Sequence, residues 1–361
     1  MKALLVLLVV VLVVPAAASA AAPAPPSVMT QNLYLGADLS SVVQAVTAFA
    51  QNQSPGNFVA LTRAAANTFR AVDRTDFAAR ARALAKEIDD SDPYLVGLQE
   101  VALWRTGAFA DPAQETSVRY DFLTLVLNAL AARGLHYAPV SVEQESDFGN
   151  VPVGQADDGT LYHVDGRLTD RDVILARTDL PRSVFSTSNA MGANYTSRLV
   201  LGVIPQIHGW ASVDALLPGH RALRFVTTHL EPFSEATRVA ETAELLTGPA
   251  LATSTPVVLA GDLNSDPNDP GGAGAYNALV AAGFGDSGNA SPTCCHDPDL
   301  LANDPLTGDF TKRIDHILTR PGLNGLLSTA LVGADPADRV ASVFGDLLWP
   351  SDHAGLRAGL G

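Results

Sequence analysis

The nonapeptide PVVLAGDLN, at residues 256–264, carries the strongest structural pattern in the chain. Its apolar run is long enough for a buried strand and ends at a carboxylate and a carboxamide. Because residues i and i+2 of an extended segment point to the same side, Asp262 and Asn264 can face one ligand. Burying such groups is costly unless a partner satisfies them. The stretch therefore predicts a buried strand with a functional site at its carboxyl end.

Apolar periodicity predicts alternating helices and strands on both sides of this stretch. Helical spacing covers the Ala-rich residues 40–92, residues 118–133 up to Gly134, and the segment from Ser234 to Gly248. Short apolar runs predict strands at 28–35, 94–101, 172–176, 198–207, 223–230, 313–318 and 354–356. Residues 145–170 are punctuated by Asp and Gly and predict a loop with room for one hairpin, and residues 265–310 predict a long active-site loop with a short helix at 276–282.

The order of these elements predicts the fold class. Strands and helices do not alternate in a strict βαβ rhythm, and the chain has neither a repeat of fixed period nor a clear interdomain linker. We therefore expect a mixed-sheet α/β sandwich that forms a single domain over residues 23–361.

Residues 1–22 have the pattern of a secretory signal peptide. Lys2 precedes an apolar core at 4–14, and Ala18-Ser19-Ala20 has the small residues of a cleavage site. The apolar core is shorter than the roughly 20 residues that span a membrane. We expect a secreted protein; the alternative is a segment that is retained as an anchor.

The composition limits the partners of the chain. Apolar residues make up 47%, which is ample for a core, and the formal net charge is −15. This charge argues against broad, unspecific binding to nucleic acid or anionic membranes, which requires Lys and Arg to replace counterions. A nuclease that holds its polyanion through a metal ion remains open. The two cysteines, Cys294 and Cys295, are adjacent and either form a vicinal disulfide or stay as free thiols.

Six short segments place polar residues at or just beyond predicted strands: residues 30–32 (TQN), 98–100 (LQE), 228–231 (THLE), 261–264 (GDLN), 313–316 (RIDH) and 351–353 (SDH). They offer carboxylate and amide oxygens, the ligands that Mg²⁺ prefers in proteins. No cysteine belongs to the set, and no His-x-x-x-His pair suggests zinc. The set predicts a Mg²⁺ site, with Mn²⁺ or Ca²⁺ as alternatives.

In this order, the six segments resemble the landmarks of the endonuclease/exonuclease/phosphatase superfamily, which includes deoxyribonucleases and neutral sphingomyelinases. The resemblance extends over residues 32–353. It implies a four-layer αββα sandwich in which two mixed β-sheets pack face to face, with the site at one end of the strands.

The resemblance also implies roles for the metal-side residues. Glu100 binds the divalent ion, and Asn32 and Asp352 lie nearby. Arg171 occupies a position where related enzymes carry a residue that touches the phosphate. The alternatives are that Asn32 ends its strand as a turn former and that Arg171 is an ordinary surface arginine.

On the other side of the scissile bond, the resemblance makes His353 the general base that activates water, oriented by Asp315 or Asp352. Asp262 and Asn264 hold the attacking water or the phosphate oxygens, and His229 donates a hydrogen bond or proton to the phosphate. The plainer alternatives are that Asp262 caps a turn and that Asp315 is structural.

These features predict a secreted, metal-dependent phosphodiesterase that acts on nucleic acid or on phospholipid head groups such as sphingomyelin. The helical segment at 40–75 is expected to form part of the substrate rim. The alternatives are an inactive secreted binding protein of the same fold, a phosphomonoesterase, and a Ser-His-Asp esterase, for which the chain lacks a G-x-S-x-G motif.

Overall fold

The computed structural model describes residues 25–286, 291–301, 310–320 and 326–361. The signal segment predicted at 1–22 lies outside the described residues. Within the described part of the chain, no helix combines the length and the apolar character needed to cross a membrane.

The N-terminal half contains most of the helices. In chain order, its elements are β1 (Ser27–Asn32), α1 (Ser40–Gln51), α2 (Pro55–Arg74), α3 (Phe77–Ser91), β2 (Leu95–Gln99), β3 (Leu103–Ala108), β4 (Ser117–Asp121), α4 (Phe122–Ala132), β5 (Tyr137–Gln155) and β6 (Leu161–Arg177).

The C-terminal half is richer in strands. Its elements are β7 (Ser186–Asn194), β8 (Val200–Leu201), β9 (Ile204–Pro205), β10 (Gly209–Leu217), β11 (Arg221–His229), α5 (Glu235–Thr247), β12 (Val257–Asp262), α6 (Gly274–Ala281), β13 (Gly285–Asp286), β14 (Asp315–Arg320), β15 (Leu326–Val332), β16 (Val340–Ala341), β17 (Leu347–Leu348) and β18 (Gly355–Leu360).

Two mixed sheets form the centre of the fold. The first has the strand order β15-β18-β1-β2-β6-β3-β4, with β5 also paired to β6, and the second has the order β13-β14-β12-β11-β10-β7. In each sheet one central pair is parallel, β1 with β2 and β11 with β12. Since the ends of parallel strands meet at one edge, both sheets bring two carboxyl ends together.

Successive side chains of each strand point to opposite faces of its sheet, which divides the core into layers. In β12, Val258 and Ala260 pack between the two sheets, whereas Val257 and Leu259 pack with α5 and α6 on the outer face of the second sheet. The outer face of the first sheet packs against helices α1 to α4. The predicted four-layer αββα sandwich is confirmed.

Two predictions of local structure were wrong. Residues 145–170 contain the hairpin that the sequence allowed, but its strands β5 and β6 replace most of the predicted loop, and the segment at 118–133 begins as strand β4 before α4 starts at Phe122. Four register shifts interrupt the pairing of β5 with β6. Because each shift resets the two-residue alternation, no continuous strand pattern was visible in the sequence. Strands β7 and β10 were also missed.

The two sheets approach closely beneath their carboxyl ends. Gln99 Nε2 donates to Thr227 Oγ1 across the sheet interface at 2.7 Å, and Thr30 Oγ1 donates to Gln99 Oε1 at 3.3 Å. All three side chains are buried. Gly97 makes this approach feasible, because a Cβ at this position would lie 2.6 Å from Thr227 Oγ1.

We predict that Gly97→Ala lowers the free energy of unfolding by about 1–3 kcal/mol, since the added methyl group overpacks the sheet interface. Denaturant unfolding followed by circular dichroism measures the change. The control is Gly56→Ala in the first turn of α2, where the nearest atom to the added Cβ is Ser54 Oγ at 3.9 Å. Equal stability of the two variants would contradict the tight approach of the sheets.

Candidate active site

The strand register assembles the predicted site. Asn32 pairs with Gln99 at the ends of β1 and β2, His229 pairs with Asp262 at the ends of β11 and β12, and Asp262 pairs with Asp315 at the start of β14. The two sheets face each other, so these strand ends meet at one edge of the sandwich. All six sequence segments contribute a side chain to the site there, the RIDH segment through Asp315.

Glu100 follows β2 directly and is held by two donors. Its Oε1 accepts from Asn32 Nδ2 at 2.9 Å, and its Oε2 accepts from the Leu35 amide at 2.7 Å. The backbone of Glu100 has a φ of 55°, in the left-handed region that non-glycine residues seldom occupy. Such conformations persist where the surrounding structure imposes them, and they cluster at functional sites.

Asn32 joins the two halves of the site. Its Nδ2 donates to Glu100 and also to Asp262 Oδ2 at 3.1 Å, while its Oδ1 accepts from the Tyr34 amide at 2.9 Å. The structure therefore uses Asn32 to orient two carboxylates. Its assignment as a metal ligand stays a prediction.

Asp262 lies between the imidazole rings of His229 and His353. Its Oδ2 is 3.7 Å from His229 Nε2 and 3.8 Å from His353 Nδ1. Its Oδ1 accepts from the Asn264 amide at 2.8 Å, as the turn-capping alternative predicts, and its role towards water or phosphate stays a prediction. The Asn264 carboxamide is fixed by donation from Nδ2 to the Leu230 carbonyl at 2.8 Å.

His353 is oriented by Asp315. The distance from His353 Nδ1 to Asp315 Oδ2 is 2.9 Å, whereas Asp352 Oδ1 lies 4.0 Å from Nε2. Thr293 Oγ1 accepts from the Asp315 amide and fixes the start of β14. The buried Asp315 is thus the hydrogen-bond partner of Nδ1, which leaves Nε2 on the side of Cys295 and Asp352.

The adjacent cysteines lie beside this histidine. Cys294 and Cys295 form a disulfide, which was one of the two alternatives from the sequence. Cys295 Sγ is 3.9 Å from His353 Nε2. The loop that carries the cysteines also contacts the SDH segment, because the His296 amide donates to the Asp352 carbonyl.

A buried arginine on α3 connects the first strand to the SDH segment. Arg80 donates to the carbonyls of Leu33, Tyr34 and Pro350, and also to Thr75. It is fully buried and lies over the Phe77 ring. Arg80 therefore fixes the two backbone segments that carry Asn32 and Asp352.

Arg171 lies away from the reacting groups. Its guanidinium donates to the carbonyls of Val101 and Ala102 and to Asp121 Oδ1. These contacts hold the segment that follows Glu100 and favour a structural role, so its predicted contact with the phosphate has no support from this arrangement.

Sequence reasoning missed the two aspartates on either side of Arg171. Asp170 lines the same cleft as Glu100, and burial together with Glu100 raises its pKa to about 7. Asp172 is fully buried, and burial raises its pKa well above the ordinary value. The signal in the sequence was their i, i+2 spacing directly before an apolar run, the same pattern that identified Asp262 and Asn264.

Buried acids outnumber cations at this site. Burial and the Glu100 carboxylate raise the pKa of Asp352 to about 7, although His353 opposes the shift. Burial alone would lower the pKa of His229, but the surrounding carboxylates, Asp262 and Glu100 foremost, raise it to about 9. A cation would relieve the repulsion among the acids, and their oxygens are the ligands that a hard divalent ion takes. The donor set therefore fits a divalent metal.

The fold and this set of residues define the class of protein. Residues 29–353 match the sequence profile of the Endonuclease/Exonuclease/phosphatase family, and the chain belongs to that family. Members of the family are metal-dependent phosphoesterases, so the expected resemblance is confirmed. No curated protein sequence matches the chain.

Solved structures of low sequence identity share the fold. A family protein from Leptotrichia buccalis has a TM-score of 0.54 at 13% identity, over 93% of this chain and 99% of its own. A family protein from Bacteroides thetaiotaomicron has a TM-score of 0.53 at 19% identity, over 94% and 98%. The mannosyl-6-phosphatase Bt3783 of the same organism has a TM-score of 0.50 at 18% identity, over 93% and 99%.

We predict that three groups of the site destabilise the metal-free protein progressively as the pH rises from about 4 to 9. Asp170 and Asp352, with pKa values raised to about 7, and His229, raised to about 9, bind protons more tightly when folded, so their contribution is lost as the pH rises through these values. Chemical unfolding in chelator at a series of pH values measures the loss, and a divalent ion should reduce it.

Asp170→Asn should remove roughly 1–4 kcal/mol of this loss, most of it between pH 4 and 7. The matched control is Asp90→Asn, which removes an exposed carboxylate from α3. If the free energy of unfolding of Asp170→Asn falls with pH as steeply as that of the wild type, the Asp170 carboxyl has the same pKa in the folded and unfolded protein, which would contradict the prediction.

Proposed function

We propose that the protein is a secreted, Mg²⁺-dependent phosphodiesterase that hydrolyses its substrate by in-line attack of water. The observation that supports this best is the joint position of a fixed carboxylate, Glu100, and an Asp315–His353 pair at one end of the sandwich. Export is supported by the signal-like segment at 1–22.

Glu100 would hold the metal ion together with Asp352, while Asn32 orients Glu100. When bound, the ion supplies positive charge that neutralises the phosphate and polarises its oxygens. The oxygen-only donor set of these residues favours Mg²⁺ over ions that prefer nitrogen.

His353 is the general base of the proposed reaction. Burial alone would lower the pKa of His353, but Asp315 and Asp352 raise it well above the ordinary value. A divalent ion held near Asp352 would counteract this shift and favour the neutral imidazole. Since Nδ1 is bound to Asp315, Nε2 is the nitrogen that accepts the proton of the attacking water.

His229 carries positive charge at neutral pH because its pKa is about 9. It therefore suits the donation of a hydrogen bond to a phosphate oxygen or of a proton to the leaving group. Asp262 lies between the two imidazoles, 3.7 Å from His229 Nε2 and 3.8 Å from His353 Nδ1, and it can accept a hydrogen bond from the attacking water.

The surface beside the site favours a substrate with an apolar part. A cleft of about 790 Å³ contains Glu100, His229 and Asp352. Apolar side chains line it from α1 and the residue before it, from β8–β9 and from the loop before α5, including Leu39, Val43, Leu201, Ile204 and Phe233. Helix α1 belongs to the segment at 40–75 that was expected to form the rim.

The small number of positive charges in the cleft also favours a lipid substrate over nucleic acid. Arg167 is the one Lys or Arg among the described residues that line it, and its guanidinium is paired with Asp147 and Glu115. A nucleic-acid groove would present cations to the phosphate backbone. We therefore rank a phospholipid head group, of the sphingomyelin kind, before nucleic acid as the substrate.

A substrate panel tests the proposal. Purified protein should hydrolyse sphingomyelin or another phosphodiester with Mg²⁺ or Mn²⁺ and lose this activity in chelator. Glu100→Gln and His353→Ala should each lower kcat about 10²–10⁴-fold with little change in thermal unfolding. His220→Ala, at an exposed position, is the control. No chelator-sensitive activity on sphingomyelin, DNA, RNA or phosphomonoesters would refute the proposal and favour the inactive binding protein.

The apolar cleft makes a separate prediction. Phe233 is 66% exposed at its rim, and Phe233→Ser should lower kcat/KM for a lipid substrate about 10-fold, the loss of roughly 1.4 kcal/mol of apolar contact. Hydrolysis of a small water-soluble phosphodiester should be unchanged. Val343→Ser removes a side chain that is 79% exposed elsewhere and is the control. Equal losses on both substrates would contradict recognition of an apolar group.

A further inference from the structure

A second group of potential metal ligands adjoins the active site. Glu145 on β5, His208 just before β10 and His229 at the end of β11 place one ligand atom each within 4.8 Å of the others. Their exposed fractions are 3%, 7% and 5%. Of the three, the sequence motifs included His229 alone.

The polar atoms of this group are poorly satisfied. Among the described residues, neither nitrogen of His208 has a hydrogen-bond partner, nor has Nδ1 of His229. His208 Nδ1 is 3.9 Å from Glu145 Oε2, and His208 Nε2 is 3.7 Å from Glu231 Oε2, distances too long for hydrogen bonds. Leaving such groups buried and unpaired costs about 1–3 kcal/mol each, so a ligand that pairs with them would be stabilising.

The surroundings are acidic. Asp172, Glu231 and Glu241 are buried next to the two histidines and Glu145, and their exposed fractions are all 0%. The neighbouring Arg238 directs its guanidinium to the Glu231 and Pro232 carbonyls and to Glu235. The group therefore holds more buried acid than the arginine compensates.

We propose that Glu145, His208 and Nδ1 of His229 bind a divalent first-row transition ion of the Zn²⁺ type. Two imidazoles and one carboxylate are a ligand set that such ions prefer and that Mg²⁺ does not. Ligand atoms around one tetrahedral ion lie roughly 3.5 Å apart. The three side chains reach that spacing by closing inward by about 1 Å.

The ion would act on the active site through His229. Binding of the metal at Nδ1 would release the Nδ1 proton to solvent, and the ring would keep its other proton on Nε2, the nitrogen that lies 3.7 Å from Asp262. This fixes the tautomer that can donate to a phosphate oxygen. The site is distinct from the Glu100 site, and its existence does not depend on which ester the protein hydrolyses.

Crystals of the full chain soaked in Zn²⁺ provide the first test. Anomalous scattering at the zinc edge should show a peak between Glu145, His208 and His229. The proposal would be overturned if the crystals bind zinc at Glu100 but not at this group. It would also be overturned if the soaked crystals bind no zinc at all.

Co²⁺ titration in solution provides the second test. Visible absorption bands should report a nitrogen-containing site in the wild type and should persist in Glu100→Gln, so that failure of the proposed catalytic metal site is distinguishable. His208→Ala and Glu145→Gln should each weaken Co²⁺ binding by more than the 10–100-fold that a lost outer partner costs.

Glu143→Gln, two residues before Glu145 on β5, and the exposed His220→Ala are the matched controls and should retain the bands. Circular dichroism establishes that each variant is folded, and Glu145→Gln, which preserves shape, remains informative if His208→Ala does not fold. Wild-type affinity in a folded His208→Ala or Glu145→Gln would refute the site.

Discussion

The arrangement depends on one contact between the two sheets, the buried hydrogen bond from Gln99 to Thr227. It joins the carboxyl end of β2 to β11 one layer below the reacting groups. Strands pair in fixed register within each sheet. The distance between Gln99 and Thr227 therefore also determines how Glu100 in one sheet is positioned relative to His229 and Asp262 in the other. The close approach requires the missing side chain of Gly97. A site made from two sheets is therefore only as well defined as this interface.

Much of the fold and part of the site were predictable from the sequence because their signals are local. A buried strand that ends in polar residues, as at 256–264, requires no knowledge of distant residues. The β5–β6 hairpin was hidden by its register shifts. The grouping of Glu145 with His208 could not be predicted, since these residues lie far apart in the chain and no shared motif connects them. Asp170 and Asp172 had a local signal that was attributed to Arg171 between them.

The buried carboxylates of the site lower the folding stability of the metal-free protein, and the same carboxylates favour metal binding. Several carboxylates are buried with few compensating cations, and their pKa values are raised, to about 7 for Asp170 and Asp352 and well above the ordinary value for Asp172. Such a cluster destabilises the empty protein at neutral pH, and the same repulsion becomes affinity when a divalent ion is bound. Folding stability and metal binding are therefore coupled, which is typical of sites whose residues are selected for chemistry and not for packing.

Arg80 has a consequence for biosynthesis. Its guanidinium donates to the Leu33 carbonyl just after β1 and to the Pro350 carbonyl, which is 270 residues away from Arg80 in sequence. Strand β1 likewise lies between β2 and the late strand β18. The contact between Arg80 and Pro350 and the pairing of β1 with β18 therefore form only after residues 350–360 have been synthesised. The candidate site can be assembled only with this segment, because the segment carries Asp352 and His353.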